Sequence, residues 1–263
     1  MRFERHGART VLAGQRMAPP LQVMAPMELA DGSAYVVILN NGGGLVGGDS
    51  MRVEIVLEAG SRAAITTASA GKVYRSAGPF ASHETTVSVG TGARLDYLPD
   101  HLIPHAGAAL VQRLNVMMER GSRAILYGAM AAGRIGRGER FAFRAIEDSI
   151  SIWYAGRPIL LSRAILEPAK RKLGGAGLME RFDYLASLVA AGESSGEWGG
   201  IATGLQSRLE VAGVSGGAAP LAADGCLVRW MAPGAEMLRR SALTIYHGAA
   251  RAAFLEAPMA FRK

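Results

Sequence analysis

Cysteine is almost absent from this sequence, because Cys226 is the single cysteine among 263 residues. One cysteine excludes an internal disulfide and a thiolate-rich metal site, and it fits a reducing compartment. The next residues, Leu227 and Val228, are apolar and no histidine is adjacent. Cys226 is therefore predicted to be a core residue rather than a nucleophile.

Long hydrophobic runs are also missing. No uninterrupted apolar stretch approaches the roughly 18 residues of a membrane-spanning helix. The amino terminus, Met1 to His6, is charged and is not followed by the hydrophobic core of a signal peptide. These observations predict a cytoplasmic protein without a membrane partner.

Charged residues are few, at 19%, and aromatic residues make up only 6%. The formal net charge is nevertheless +7, which is compatible with nucleic acid or with an acidic protein partner. Lys and Arg are spread along the chain, with no long basic run and no interleaved aromatic module. Nucleic-acid binding is therefore not expected. The hydrophobic content of 49% predicts a globular chain with a full core.

Glycine, by contrast, is abundant, and it is concentrated between two predicted strands, Ala34–Leu39 and Met51–Leu57. Five glycines occur within seven residues, namely Gly42, Gly43, Gly44, Gly47 and Gly48. A phosphate-binding loop would open a helix, whereas here a strand pattern follows and Asp49 would repel a phosphate. The stretch is predicted to be a strand-to-strand turn in which another segment approaches the backbone closely.

A pattern of strand, glycine turn, small residue, arginine and strand occurs three times, at Leu57–Ala63, Val89–Leu95 and Met118–Ala124. The turn glycines lie 32 and 29 residues apart, a spacing typical of stacked structural units. Each unit is predicted to be hairpin-like and to stack on its neighbours in order to bury its apolar face. The fold predicted is mostly β, with an elongated stacked β (β-helix-like) architecture and two helices in the carboxy-terminal half.

The remaining segments complete a single predicted domain over residues 1–263, with stacked β units in 1–170 and helices plus further strands in 171–263. Residues 1–33 are predicted to form edge strands and turns, and Phe141–Leu166 a strand-rich section. Apolar residues at three- and four-residue spacing predict the two helices. The other predicted segments are helices Leu178–Ala191 and Ala235 to about Leu255, a loop Glu193–Gly200, strands Leu205–Val211 and Cys226–Met231, and an extended tail Pro258–Lys263.

Three motifs resemble those of the UreD (UreH) urease accessory proteins. They are Gly42–Asp49, Ile65–Ser76 and Leu95–Pro99. In that family a GG(L/V)xGGD turn is followed by TTQxxxKxYRS and then by LEWLPQE. The order, the spacing and the intervening AGSRA turn agree, and the resemblance is strongest over residues 34–130.

The resemblance implies a scaffold rather than an enzyme, with an elongated β-helix-like fold and a few helices. It implies binding to the urease apoprotein and to UreF-type and UreG-type accessory proteins, the latter a GTPase that delivers nickel. It also implies an internal tunnel that conducts nickel in transit, with no permanently bound cofactor.

Asp49 is the first candidate on a nickel path, because one carboxylate oxygen binds a divalent ion weakly enough to release it. The alternative is that Asp49 only caps its turn by accepting backbone N–H bonds. Lys72, Tyr74 and Arg75 are predicted to be structural or partner-binding. Strand alternation would put Lys72 and Tyr74 on one face, with Val73 and Arg75 on the other.

This sequence departs from the resembled family after Pro99. The family's LPQE is Leu98-Pro99-Asp100-His101 here, with His105 four residues further on, and Ser69 stands where glutamine is usual. Asp100, His101 and His105 are therefore further candidates for the tunnel or metal path, since imidazole suits nickel and zinc. In the alternative interpretation these are ordinary residues.

Two other function classes remain open. A metal-dependent enzyme would require Asp49, His101 and His105 to converge in one closed pocket. A binding scaffold unrelated to urease would be favoured by a dominant apolar surface patch without a polar passage.

Overall fold

The computed structural model describes residues 1–256 and Pro258, and the account below is confined to them. Of the predicted extended tail, Met259–Lys263 lies outside the described residues, as does Ala257. The elements of the first half are β1 (Arg2–His6), β2 (Arg9–Gly14), β3 (Leu21–Val23), β4 (Met27–Glu28), β5 (Ala34–Asn40), β6 (Ser50–Leu57), β7 (Arg62–Thr67), β8 (Gly71–Val73), β9 (Ala81–Val89), β10 (Arg94–Leu98), β11 (Leu102–Pro104), β12 (Ala109–Met118) and β13 (Arg123–Ala131). The second half contains a short 3₁₀ helix (Ile135–Arg137), β14 (Ala145–Tyr154), β15 (Arg157–Leu166), β16 (Tyr184–Gly192), α1 (Trp198–Val211), β17 (Ser215–Pro220), β18 (Gly225–Ala232) and α2 (Ala235–Phe254).

The strands form two sheets, and the chain alternates between them in a solenoid. Sheet 1 has the order β15-β14-β12-β9-β6-β1-β2, and sheet 2 has the order β17-β18-β16-β13-β10-β7-β5-β3, with β4, β8 and β11 at its margins. Strands β6, β9, β12 and β14 pair in parallel in sheet 1. Strands β5, β7, β10 and β13 pair in parallel in sheet 2. The predicted stacked β architecture with two carboxy-terminal helices is confirmed.

The predicted repeat is real, but its hairpin-like pairing is wrong. The two strands of each unit lie in different sheets, because each glycine turn carries the chain from sheet 1 to sheet 2. Gly60, Gly92 and Gly121 occupy the same turn position with φ of 69°, 66° and 75°. Successive turns are joined by backbone bonds, such as that from Gly60 N–H to Thr91 O at 2.9 Å. Each unit is thus a coil of the solenoid, which hydrogen-bonds to the next coil rather than within itself.

Two segments were misassigned from the sequence: one predicted helix is a strand, and one helix was not predicted. Leu178–Ala191 was predicted to be a helix, but Tyr184–Gly192 is strand β16 in the middle of sheet 2. This strand is buried on both faces: Val189 and Ala191 face sheet 1, whereas Leu188 and Ala190 face the helices. A doubly buried strand is apolar throughout, so periodicity does not separate it from a helix.

The segment predicted as a loop and strand, Glu193–Gly200 with Leu205–Val211, contains helix α1 instead. Three glycines weaken its helix propensity, which is why the sequence favoured a loop. Tertiary packing stabilises the helix, because Ile201, Leu205 and Leu209 are buried against sheet 2 and α2. The predicted strand Cys226–Met231 and helix from Ala235 agree with β18 and α2.

Most of the core lies in two layers. One lies between the sheets and includes Phe3, Ile55, Leu95 and Ile152, all fully buried. The other lies between sheet 2 and the two helices and includes Trp230 and Cys226. Cys226 is buried, as predicted. Burying each large apolar side chain stabilises the fold by about 1.5–3 kcal/mol. Among the described residues, no helix has both the length and the apolar character needed to cross a membrane.

Candidate functional site

The glycine-rich turn joins β5 to β6 and packs directly on the Lys72–Ser76 segment. Leu45 N–H donates to Lys72 O at 2.9 Å, and Tyr74 N–H donates to Leu45 O at 2.7 Å. A Cβ on Gly44 would lie 2.6 Å from Lys72 O, and one on Gly47 would clash with the Ser76 side chain. These two glycines are therefore needed because another segment approaches the backbone closely. Two motifs that are separate in sequence form one structural unit.

Asp49 closes this turn on itself. Its Oδ2 accepts a bond from Val46 N–H at 2.9 Å, and its own N–H donates to Val46 O at 3.0 Å. This is the capping geometry that favours aspartate in turns. Asp49 is also exposed, so a further metal contact on its carboxylate stays a prediction.

Lys72, Tyr74 and Arg75 differ in their surroundings. Strand β8 ends at Val73, so strict alternation does not extend to Arg75, which is exposed. Tyr74 is half-buried, and its hydroxyl donates to Gly43 O at 3.3 Å. Lys72 is exposed. This arrangement suits a structural role for Tyr74 and leaves the two cations at the surface.

His101 and His105 stand at opposite ends of β11 and contact different tyrosines. The His105 ring meets the edge of Tyr74 at 4.8 Å between centroids, and the His101 ring meets Tyr184 at 5.4 Å. Burial lowers the pKa of His105, and the nearby Arg134 guanidinium lowers it further against the opposing effect of Glu139. A neutral imidazole can bind a metal ion, but the positive charges of Arg134, Lys72 and Arg137 oppose the approach of a metal cation to His105.

Asp100 follows Pro99 just beyond the end of β10. Its backbone N–H donates to the Thr67 hydroxyl at 2.8 Å. Burial raises the pKa of Tyr35 and of Tyr127, and the Asp100 carboxylate adds to both shifts. Within residues 1–256 and 258, no three His, Cys, Asp or Glu side chains lie close enough together to hold a metal ion. Asp49, His101 and His105 therefore do not form the three-ligand pocket that an enzyme would need.

The structure shows a row of polar residues that the sequence analysis missed. His83, Gln112 and Asp148 are register partners on β9, β12 and β14. They share a strand face with Val87, Val116 and Ile152, so they point between the two sheets. Gln112 Nε2 donates to Asp148 Oδ1 at 3.0 Å. We call these three residues the interior polar row.

The row is partly buried, and burial perturbs both of its ionisable groups. Desolvation lowers the pKa of His83 to about 4, although a hydrogen bond with Gln112 opposes the shift. Desolvation raises the pKa of Asp148, while the bond from Gln112 and the charge of Arg229 act against it. At neutral pH the row therefore contains a neutral imidazole, which is able to coordinate a metal.

Small and polar residues of sheet 2 face the interior polar row. Gly128, Ser187 and Arg229 are register partners on β13, β16 and β18. A Cβ on Gly128 would have no neighbour within 4 Å, so there is space between the sheets at this point. Arg229 Nη2 donates to Ser162 Oγ of β15 at 2.6 Å and bridges the sheet edges.

A sequence signal for the row existed. His83 and Gln112 each lie nine residues before a turn glycine of the repeat, Gly92 and Gly121. Equivalent positions of stacked coils lie side by side, so aligning the repeats would have predicted their contact.

Comparisons with known proteins all match the same family. A model described as UreD urease accessory protein matches residues 1–263. A protein named urease accessory protein UreD from Herpetosiphon aurantiacus is 30% identical over 262 residues, which cover 97% of this chain and 91% of the relative. The protein of the same name from Deinococcus radiodurans is 34% identical, covering 80% of this chain and 77% of its own. A third, from Microcystis aeruginosa, is 36% identical, covering 67% and 66%.

Proposed function

Because this chain belongs to the UreD urease accessory protein family, we propose that it is a non-catalytic scaffold in urease maturation. It binds the urease apoprotein and a UreF–UreG-type complex, and nickel in transit passes between its two sheets. The single observation that carries the nickel path is the interior polar row, which lies between the two sheets.

The chemistry of the row suits transient binding of a divalent cation. Carboxylate and amide oxygens and a neutral imidazole are all ligands for such ions. Asp148, Gln112 and His83 offer one group each from adjacent strands, so an ion meets few ligands at any position and is released easily. The charge of Arg229 counters the rise in the pKa of Asp148 and so favours its ionised form. The open space beside Gly128 supports passage at the same level.

Asp49, Asp100, His101 and His105 stay proposed contributors at the surface end of the path. Of these, His105 is disfavoured as an entry ligand because three cationic side chains act on it.

The unit formed by the glycine turn and the Lys72–Ser76 segment is the surface that we propose for docking one partner protein. Val46 of the turn and Phe80, whose carbonyl accepts a bond from Gly48 N–H, are large hydrophobic residues exposed by 46% and 40%. The Arg144 guanidinium lies 4.8 Å from the centroid of the Phe80 ring. Exposed apolar groups beside the cations Lys72 and Arg75 suit a partner with an acidic rim around an apolar contact.

The test is nickel incorporation into urease co-expressed with this chain and its partners. Asp148→Asn removes the carboxylate but keeps a polar group for Gln112, so the fold should be kept. Glu147→Gln is the matched control, because Glu147 is the adjacent residue on β14 and pairs with Arg163 on the opposite face. We expect Asp148→Asn to retain the complex and to reduce nickel per urease site severalfold, with Glu147→Gln unchanged.

Full nickel loading with Asp148→Asn would remove the interior polar row from the path. Recovery of no partner by the wild-type chain, together with nickel loading that does not need it, would instead refute the urease role itself.

A further inference from the structure

The arginines of the three-fold repeat form a ladder on the outer face of sheet 2. Arg62, Arg94 and Arg123 are register partners on β7, β10 and β13. Their side chains are exposed by 30%, 3% and 31%. Like charges on adjacent strands repel one another, so this arrangement requires anionic partners. We call these three residues the arginine ladder.

The carboxylate of Glu256 accepts hydrogen bonds from all three arginines of the ladder. Arg62 and Arg94 donate to its Oε2, and Arg123 Nη1 donates to its Oε1 at 3.0 Å. Glu256 lies just past the end of α2, whose Phe254 ring is within 6 Å of the Arg94 and Arg123 guanidiniums. The carboxylate is therefore held by charge-assisted bonds beside an aromatic contact.

The ladder nevertheless retains unmet bonding capacity. Within the described part of the chain, Nε of Arg62 and Nε of Arg123 are buried and have no hydrogen-bond partner. Among residues 1–256 and 258, only Arg94 has a second close carboxylate partner, Asp96, at 2.8 Å, while Glu193 lies at the margin, 3.9 Å from Arg123. In this described part of the chain two close carboxylates bond to three guanidiniums, and the site favours additional negative charge.

Glu256 reaches the ladder through a strained and exposed residue. Leu255 adopts a left-handed conformation with φ of 51°, and it is 78% exposed. A non-glycine residue in this region is strained, and only the surrounding contacts maintain it. Detachment of Glu256 with Phe254 kept in place would relieve that strain and would expose no further apolar group to water, since Leu255 is already exposed.

We propose that the arginine ladder is a carboxylate-binding site, which Glu256 fills in the free chain and an acidic segment of a partner protein fills when Glu256 swings away. The occupant favoured is a glutamate or aspartate next to an apolar side chain, because the chain's own ligand is a glutamate that follows Phe254 and Leu255. This proposal does not depend on the nickel path.

The test measures binding of a fluorescently labelled hexaglutamate peptide to the full chain by anisotropy. Glu256→Gln should bind the peptide at least about tenfold more tightly than wild type. Glu236→Gln is the matched control, because it adds the same net charge on α2 but removes an exposed pair with Arg239. Its affinity should stay within about twofold of wild type. Arg62→Gln and Arg123→Gln, added to Glu256→Gln, should abolish the gain.

Equal gains in Glu256→Gln and Glu236→Gln would overturn the proposal, because they would report net charge alone. A gain that survives loss of both outer arginines would overturn it as well. Binding of inorganic phosphate without any binding of the peptide would also overturn it. Should Glu256→Gln fail to fold, Glu256→Asp shortens the internal ligand without changing net charge. That variant should give an intermediate gain, and no gain would count against the ladder.

Discussion

Arg94 and Asp96 are the most buried charged residues in the described part of the chain, and they allow a quantitative prediction about stability. Their side chains are exposed by 3% and 0%. Arg94 Nε and Nη2 donate to Asp96 Oδ1 and Oδ2 at 3.0 and 2.8 Å, and Tyr246 donates to Oδ2 at 2.6 Å. Burial alone would lower the pKa of Arg94, but Asp96 and Glu256 raise it above its usual range. The pair links sheet 2 to α2 at its centre.

Asp96→Ala would leave the Arg94 charge buried, with Glu256 as its one remaining carboxylate partner among the described residues. Removing one member of a buried ion pair typically costs about 3–5 kcal/mol, because the other charge stays unpaired. The remaining bond to Glu256 argues for the lower end, and we expect a loss of about 3 kcal/mol in the free energy of unfolding. The double variant Arg94→Met, Asp96→Ala should cost clearly less than the sum of Arg94→Met and Asp96→Ala, since it leaves no unpaired charge.

The assay is urea denaturation, followed by circular dichroism and tryptophan fluorescence, on the four proteins of this cycle. The control is Glu236→Ala, which breaks an ion pair whose side chains are about two-thirds exposed and should cost less than about 1 kcal/mol. If Asp96→Ala costs no more than this control, or if the two single changes are additive, the reasoning from buried charge is refuted.

Two further predictions concern the other sites. Gly44→Ala should destabilise the protein by about 1–3 kcal/mol, because its Cβ would press on Lys72 O. Gly78→Ala is the control, since its Cβ has open space. Equal melting temperatures of the two variants would contradict the close approach at Gly44. Burial lowers the pKa of His83 to about 4 from its usual 6.5, so the unfolded chain binds more protons between these values. Stability present above pH 6.5 should therefore fall by up to about 3 kcal/mol as pH decreases to 4. His83→Gln should flatten this dependence in denaturation series, and an unchanged slope would assign it to other groups.

The repeat was predictable because each coil reuses the same turn chemistry. Gly60, Gly92 and Gly121 require a positive φ, and only a few residue types tolerate it. The partner of each strand was not predictable in the same way. A turn of this kind joins strands within a hairpin or carries the chain between two sheets, and local sequence does not distinguish these outcomes. The choice is made by packing of the apolar faces of neighbouring coils, which is a property of the whole stack.

In the carboxy-terminal elements, tertiary packing rather than the local sequence pattern determines the secondary structure. The sequence of strand β16 predicts a helix, because the strand is apolar on both faces. The sequence of helix α1 does not predict a helix, because Gly199, Gly200 and Gly204 lower its helix propensity. At Gly248 of α2 a Cβ would lie 2.5 Å from Arg208 of α1, so the two helices pack closely. Such contacts between distant segments are invisible in a single sequence.

The candidate site was predicted in its parts but not in its assembly. The glycine turn and the Lys72–Ser76 segment were both identified, and the close approach expected of the glycines is present. Their mutual contact was not predicted, since 31 residues separate Gly43 from its hydrogen-bonding partner Tyr74. The role of Glu256 was missed for the same reason, because it lies 133 residues beyond Arg123.

The interior polar row and the arginine ladder have a common origin in the geometry of the solenoid. A repeat places equivalent residues of successive coils side by side, so a single polar position in the repeat becomes a continuous row. Strand alternation then decides which side of a sheet the row occupies. His83, Gln112 and Asp148 fall on the face between the sheets, whereas Arg62, Arg94 and Arg123 fall on the face beneath α2. Since sheet 2 separates the two rows, changes to the ladder should alter acidic-peptide binding without altering nickel loading, and changes to the interior polar row should do the reverse.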